Sequence, residues 1–210
     1  MVLRADARRN RDLLLEAGRA LIVERGGMPP LEDIAERAGV GIGTLYRRFP
    51  EREQLMIGIS AHTLRQVVAA AQAAWDEEPD AWSALSRFVR RCVELRMGVL
   101  SSTVDPELHT RIRRDPEVSE VRGQMVDLLA RMVEGAQADG VMREDVGPGD
   151  IGMLISVHVH QAADIPAELA GAVPGRLAGL MLDGLRARPG TPLPGAAISG
   201  TDTEPAGGAH

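Results

Sequence analysis

The chain has 210 residues, of which 44% are hydrophobic and 2% aromatic, a length that suits one or two domains with a real core. No apolar run approaches the roughly 18 residues of a membrane helix, and the Arg-rich start lacks the apolar stretch of a secretory signal. The single cysteine, Cys92, excludes an internal disulfide and fits a reducing compartment, so we expect a cytoplasmic protein.

The formal net charge of −6 is unevenly distributed along the chain. Residues 1–55 carry ten arginines and nine carboxylates, a net of +1, whereas the remainder carries a net of −7. The acidic balance of the whole chain therefore does not exclude nucleic-acid binding by its first part. The arginines near the start, Arg4, Arg8, Arg9 and Arg11, fit either a loose tail or an arm that touches DNA phosphates.

The sequence predicts four helices in close succession in the first part of the chain. Apolar residues at helical spacing predict a helix over 8–25, which the glycines that follow it end. A second helix is predicted over 31–38 and ends at Gly39. A third, over 42–49, stops before Pro50, because proline disfavours helical geometry in the residue that precedes it. A fourth begins near Glu51 and runs to Trp75.

The rest of the chain is predicted to form longer helices, because it has few clusters of β-branched or aromatic residues with the two-residue period of a strand. They are predicted over 80–101, in a short piece before Asp115, and over 116–139, 150–163 and 172–186. Residues 189–210 are rich in Pro, Gly, Ala and Thr and are predicted to be disordered. We therefore expect an all-α protein with a DNA-binding head over 1–55 and a larger helical bundle over 56–188.

Two short helices joined by three residues, Gly39 to Gly41, are typical of a helix-turn-helix DNA reader. In such a unit the second helix is exposed, so that its side chains reach the major groove. Leu45 and Phe49 are four residues apart and are predicted to anchor one side of that helix. The opposite side, which carries Tyr46 and two arginines, is left free to contact DNA.

These residues resemble the tetracycline-repressor (TetR) family of transcription regulators, over residues 8 to about 58. The motifs that carry the resemblance are Asp33-Ile34-Ala35, Ala38-Gly39-Val40, Gly43-Thr44-Leu45-Tyr46 with Phe49, and Glu51-Arg52-Glu53 with Leu55. The resemblance implies a larger C-terminal helical bundle for ligand binding and dimerisation. One departure is that Pro29 and Pro30 stand where relatives often have a Ser or Thr that donates to phosphate.

The resemblance also implies a role for each exposed position of the head. Thr44 and Tyr46 would contact the DNA backbone, and Ile42, Gly43 and Arg47 would touch or approach bases. Arg48 and Arg52 would bind phosphates, because they occupy positions often held by His and Lys and because guanidinium groups bind phosphate in bidentate fashion. These seven residues are the predicted DNA-binding set.

The larger domain is expected to hold a small apolar effector and a dimer interface. The predicted ligand-binding residues are Trp82, Phe88, Met97, Met125, Met132 and Met153, although methionines at helical spacing equally serve as core filling. The predicted interface residues are Ile151, Leu154, Ile155, Leu177, Leu180 and Met181. Their apolar stripes fit an ordinary core or a four-helix dimer interface, and the family resemblance favours the interface.

The sequence therefore predicts a ligand-responsive repressor that binds a palindromic operator as a homodimer. The alternative is a helical small-molecule-binding or scaffold protein with weakened DNA binding. An enzyme is not expected, since the chain has no Gly-rich phosphate loop and no nucleophile elbow. No cofactor or metal is expected either, because His158 and His160 are two residues apart and point to different sides of a helix.

Overall fold

The structure, a computed structural model, describes residues 2–95, 104–160, 171–188, 190 and 192–200. Over these ranges the regular elements are nine helices and no strand, so the predicted all-α class is confirmed. They are α1 (Val2–Arg25), α2 (Leu31–Ala38), α3 (Ile42–Arg48), α4 (Arg52–Glu77), α5 (Ala81–Glu94), α6 (Pro106–Arg114), α7 (Pro116–Ala138), α8 (Pro148–His160) and α9 (Val173–Gly184). None of these helices combines the length and the apolar character needed to cross a membrane.

The ends of the helices follow local chemistry. Gly26 and Gly39 have φ values of 67° and 65°, the left-handed geometry that ends α1 and α2. The Asp80 carboxylate accepts from the backbone N–H of Ser83 at the start of α5, and Asp105 does the same for α6. The main difference from the prediction is at α1, which starts at Val2 rather than at residue 8.

The chain divides into two compact units, and the division does not fall at residue 55. The first unit, the head, holds the residues up to Arg65 together with α6 and the start of α7, up to Ser119. The second unit, the body, holds the rest of the described chain. Helix α4 continues through the predicted boundary without interruption, and its first turns supply Leu55, Met56 and Ile59 to buried positions in the head.

The head is packed around side chains that are fully buried. These include Leu14, Leu15, Ile22, Ile34, Leu45, Leu55, Met56 and Ile59. Two glycines let α1 and α4 come close together. A Cβ at Gly18 would lie 2.6 Å from Cδ1 of Ile59, and one at Gly58 would lie 2.9 Å from Cδ2 of Leu15. A side chain at either position would therefore force the facing side chain, Ile59 or Leu15, to move.

The body has its own hydrophobic core, contributed by α4, α5, α7, α8 and α9. Phe88, Leu85 and Met132 are among its fully buried members. Two guanidinium groups cover tryptophan rings at this core. Arg186 lies 4.4 Å from the ring centre of Trp82, and Arg131 lies 4.6 Å from that of Trp75.

The structure differs from the sequence prediction over residues 192–200, which were expected to be disordered. The backbone N–H of Leu193 donates to Asp145, and that of Ile198 donates to Asp150. The Ile198 carbonyl accepts from the N–H of Gly149. These bonds hold the segment against the loop before α8 and against the first turn of α8, because the carboxylates of Asp145 and Asp150 accept from its backbone N–H groups.

Candidate nucleic-acid interface

The turn between α2 and α3 fixes the angle at which α3 leaves the head. Gly39 is left-handed, and its N–H donates to the Glu36 carbonyl at 3.0 Å. The next N–H, that of Val40, donates to the Ala35 carbonyl, also at 3.0 Å. Both bonds close the end of α2, and Gly41 is the N-cap residue that precedes α3. Val40 is half-buried at this turn.

Helix α3 is anchored on one side only. Leu45 is fully buried and Phe49 is 6% exposed, as the spacing of the two residues predicts. Phe49 packs on the backbone of α4, where its ring lies 3.2 Å from the position of a Cβ at Gly58. On the other side, Ile42 and Tyr46 are 38% and 46% exposed. A short helix held in this way presents its free side to solvent.

The predicted contact residues of α3 all lie on or beside this free side. Gly43, Arg47 and Arg48 are exposed, and Thr44 is half-buried. Nη2 of Arg47 donates to Oγ1 of Thr44 at 2.8 Å, so these two side chains are oriented together. Arg52, at the start of α4, is exposed as well, and its guanidinium donates to the Met28 carbonyl at 3.3 Å.

The electrostatics of the head favour an anionic partner at α3. The helix contains two arginines and no carboxylate. Two acidic residues of neighbouring elements are paired with arginines of their own. Glu24 on α1 accepts two hydrogen bonds from Arg37, which lower the pKa of the Glu24 carboxyl, and Glu53 on α4 accepts from Arg111 at 3.0 Å. Sequence reasoning missed the pair of Glu53 and Arg111, because 58 positions separate the two residues.

The predicted ligand-binding residues do not form one group. Trp82, Phe88 and Met132 are buried in the core of the body, and Met125 packs against that core. Met153 is 48% exposed on α8, which places it on the surface rather than in the core. Met97 lies outside the described residues.

The predicted interface residues fall into two groups, one buried and one exposed, because the apolar stripe of a helix covers both its core-facing side and part of its surface. Ile151 is fully buried, and Ile155 and Met181 are 7% and 8% exposed, so these three side chains belong to the core of their own chain. Their contact with a partner stays a prediction. Leu154 and Leu180 are 38% and 68% exposed, and Leu177 is half-buried.

Groups of carboxylate, histidine or cysteine side chains that could hold a metal ion do not occur within the described ranges. Cys92 is buried in the core of the body, and burial raises the pKa of its thiol to about 12. A thiol in such a place is unreactive at neutral pH.

Sequence comparison finds two matching families. Residues 14–59 match "Bacterial regulatory proteins, tetR family", and residues 78–187 match "Transcriptional regulator SbtR-like, C-terminal domain". The two matches cover the helix-turn-helix and most of the body. The curated proteins compared with the chain gave no match.

Several solved structures are similar over most of their length. A TetR transcriptional regulator from Streptomyces coelicolor is 27% identical with a TM-score of 0.64, over 84% of this chain and 98% of that one. A TetR regulatory protein from Mycobacterium vanbaalenii is 26% identical with a TM-score of 0.61, over 88% and 99%. The TetR-like regulator LfrR from Mycobacterium smegmatis, in complex with proflavine, is 24% identical with a TM-score of 0.54, over 81% and 94%.

Proposed function

The chain belongs to the TetR family of bacterial transcription regulators, and from that premise we propose that it is a ligand-responsive repressor that binds a palindromic operator as a homodimer. The observation that carries the DNA-binding part is the one-sided anchoring of α3. Leu45 is fully buried, whereas Tyr46, the next residue, is 46% exposed and lies beside two exposed arginines. The site of action is the cytoplasm, where the bacterial chromosome lies.

In the proposed complex α3 lies in the major groove. Ile42, Gly43 and Arg47 face base edges, and the guanidinium of Arg47 is the group suited to a guanine. Thr44, Tyr46, Arg48 and Arg52 contact the phosphate backbone. A bound dimer would exclude RNA polymerase from an overlapping promoter, which makes repression the expected result.

The proposed dimer forms through the exposed apolar residues of α8 and α9. Leu154 and Leu180 are large, apolar and exposed, and Leu177 is half-buried. Met153, also exposed on α8, fits this surface better than a ligand pocket. A two-fold axis through the surface would give each head one half-site, with the half-sites separated by roughly 34 Å or a multiple of that distance.

The proposed effector is a small apolar molecule bound within the body, near Trp82, Phe88, Met125 and Met132. Two helices can carry its effect to DNA, because α4 and α7 each begin in the head and end in the body. A ligand that shifts either helix changes the position of residues in both units. Such a ligand acts only if it binds the DNA-free and DNA-bound states with different affinity.

The experiment is footprinting of the purified full chain on the DNA that flanks its own gene, followed by a salt titration of binding to the protected sequence. We expect a two-fold symmetric footprint and a binding constant that falls steeply with salt. Arg52→Ala should weaken binding and reduce the slope of log K against log salt. Arg87→Ala is the matched control, since Arg87 lies in the body and is paired with Glu77 and Glu78. Absence of any specific footprint would refute the proposal.

The second candidate function is a helical small-molecule-binding protein that no longer reads DNA. One observation favours it: Gly41 and Gly43 give the exposed side of α3 few side chains with which to read bases. Saturable binding of an apolar compound, with no sequence-specific DNA binding at low salt, is the result that would establish it.

A further inference from the structure

The head contains a cleft of about 630 Å³, and Arg48 is the one member of the predicted DNA-binding set among its lining residues. It is formed by the first turns of α1, the end of α3, the middle of α4 and the start of α7. The residues that line it are Ala7, Arg8, Arg11, Asp12, Arg48, Arg65 and Glu117. Arg8 and Arg11, which the sequence assigns either to a loose tail or to a DNA-contacting arm, lie in α1 and form one wall of the cleft.

Four guanidinium groups face two carboxylates in this cleft, so the lining carries an excess of positive charge. Glu117 is already committed, because Nη1 of Arg65 lies 2.6 Å from its Oε1 and Nη2 of Arg11 lies 3.6 Å from the same atom. These contacts hold the pKa of the Glu117 carboxyl below its ordinary value. Glu117 thus orients two arginines along the cleft and neutralises part of their charge.

The other two arginines remain available for an added anion. Arg8 and Arg48 are exposed and form no ion pair with the residues that the structure describes. Asp12 is the single further carboxylate in the lining. A concave surface with unpaired guanidinium groups binds phosphate well, because each group offers a planar pair of N–H donors and keeps its charge at every physiological pH.

We propose that this cleft binds a phosphate of the DNA backbone, in addition to the phosphates that α3 itself reaches. The inference rests on the proposed function and extends it, since it adds Arg8 on α1 to the DNA-contacting surface. Arg48 connects the two surfaces, because it is the last residue of α3 and also lines the cleft.

The exposure of the lining favours DNA over a free phosphorylated metabolite. Sites for small molecules bury most of the surface of their ligand. Here the two arginines without partners are exposed, and one of them ends the helix that presents Tyr46 to solvent. A phosphate on a continuous strand reaches such an open surface without being enclosed by it.

The test compares Arg8→Ala with Arg9→Ala in the full-length protein on its footprinted operator. Arg9 is the matched control because it is exposed on the same helix, carries the same charge and does not line the cleft. Affinity is measured between 50 and about 200 mM salt by fluorescence anisotropy. We expect Arg8→Ala to reduce the slope of log K against log salt by about one for each head, with several-fold weaker binding at low salt. Arg9→Ala should keep the wild-type slope.

A second variant, Glu117→Gln, gives the opposite sign and so separates the effect from misfolding. Removing the Glu117 charge releases Arg11 and Arg65 for the phosphate, so binding at low salt should strengthen several-fold and the slope should increase. Unchanged slopes for both Arg8→Ala and Glu117→Gln, with intact wild-type binding, would overturn the cleft proposal and leave the proposed function standing. Absence of wild-type binding would overturn both.

The third arm distinguishes DNA from a free anion as the source of the phosphate. The protein without DNA is titrated with inorganic pyrophosphate by calorimetry. A saturable signal that Arg8→Ala abolishes, combined with unchanged DNA affinity in that variant, would assign the cleft to a free anion and refute the DNA proposal. Weak or no binding of pyrophosphate, together with the reduced DNA slope, is the expected result.

Discussion

Neighbouring residues of α3 should respond to substitution in opposite ways. Leu45 is fully buried, so Leu45→Ala removes three carbon atoms from a packed core and leaves a cavity. Such substitutions cost about 2–5 kcal/mol of unfolding free energy, which is a large part of the roughly 5–15 kcal/mol that holds a typical domain together. The helix would lose its main anchor on the head, so DNA affinity would fall together with stability.

Tyr46→Phe should separate the two effects. Tyr46 is 46% exposed, so loss of its hydroxyl should change stability by less than about 0.5 kcal/mol. A hydrogen bond to a charged phosphate contributes about 1.5–3 kcal/mol, and its loss would weaken DNA binding by roughly 10- to 100-fold for each head.

Both quantities can be measured on the same preparations. Urea denaturation followed by circular dichroism gives the stability, and anisotropy with a labelled operator gives the affinity. The reasoning is refuted if Tyr46→Phe destabilises the protein as much as Leu45→Ala does, since Tyr46 would then be a packing residue. It is equally refuted if Tyr46→Phe binds DNA as tightly as the wild type.

Four further predictions follow from the body and from the ion pairs of the head. Leu180→Arg should convert the proposed dimer to a monomer in sedimentation velocity without lowering the melting temperature, because Leu180 is 68% exposed. A dimer that persists in this variant would place the interface elsewhere. Cys92 should not react with a thiol reagent at pH 8 until the protein unfolds, because burial raises its pKa to about 12; rapid labelling of the native protein would contradict its burial. Gly149→Val should lower the melting temperature, because a Cβ there would collide with the Ser199 carbonyl oxygen. In a chain truncated after residue 190 the same substitution should lower the melting temperature less, and an equal effect in both chains would contradict the contact. The Glu117 carboxyl has a pKa below its ordinary value of 4.5 in the folded protein. Its stabilising contribution is therefore present above pH 4.5 and is lost as the pH falls through the folded pKa. Glu117→Gln should reduce the loss of unfolding free energy at acid pH, and an unchanged pH dependence would show that the ion pairs contribute little.

The regular elements of the head could be predicted from the sequence because they depend on neighbouring residues. Glycine at position 39 and proline at position 50 interrupt helices for reasons of backbone geometry that need no distant contact. The spacing of Leu45 and Phe49 assigned one side of α3 to the core, and both are buried in the structure. The exposure of Tyr46 follows from the same geometry, whereas its contact with DNA stays a prediction.

The body was harder to interpret, because an apolar stripe shows that a helix packs against something without showing what. Ile151 and Leu154 lie on the same predicted stripe, yet Ile151 is fully buried and Leu154 is 38% exposed. A helix turns by about 100° for each residue, so a stripe three or four residues wide covers both a core-facing edge and a surface-facing edge. The predicted interface therefore contained both kinds of residue.

The sequence by itself determined the helical class, the turn between α2 and α3, and the side of α3 that is anchored, since each depends on residues a few positions apart. The tertiary structure alone decided which charges neutralise one another and which remain free. Arg65 and Glu117 are 52 positions apart and share a hydrogen bond, while Arg8 and Arg48 form no ion pair among the described residues. Ion pairing depends on distances of a few ångströms between side chains, and only the packing of α1, α4 and α7 within the head sets those distances.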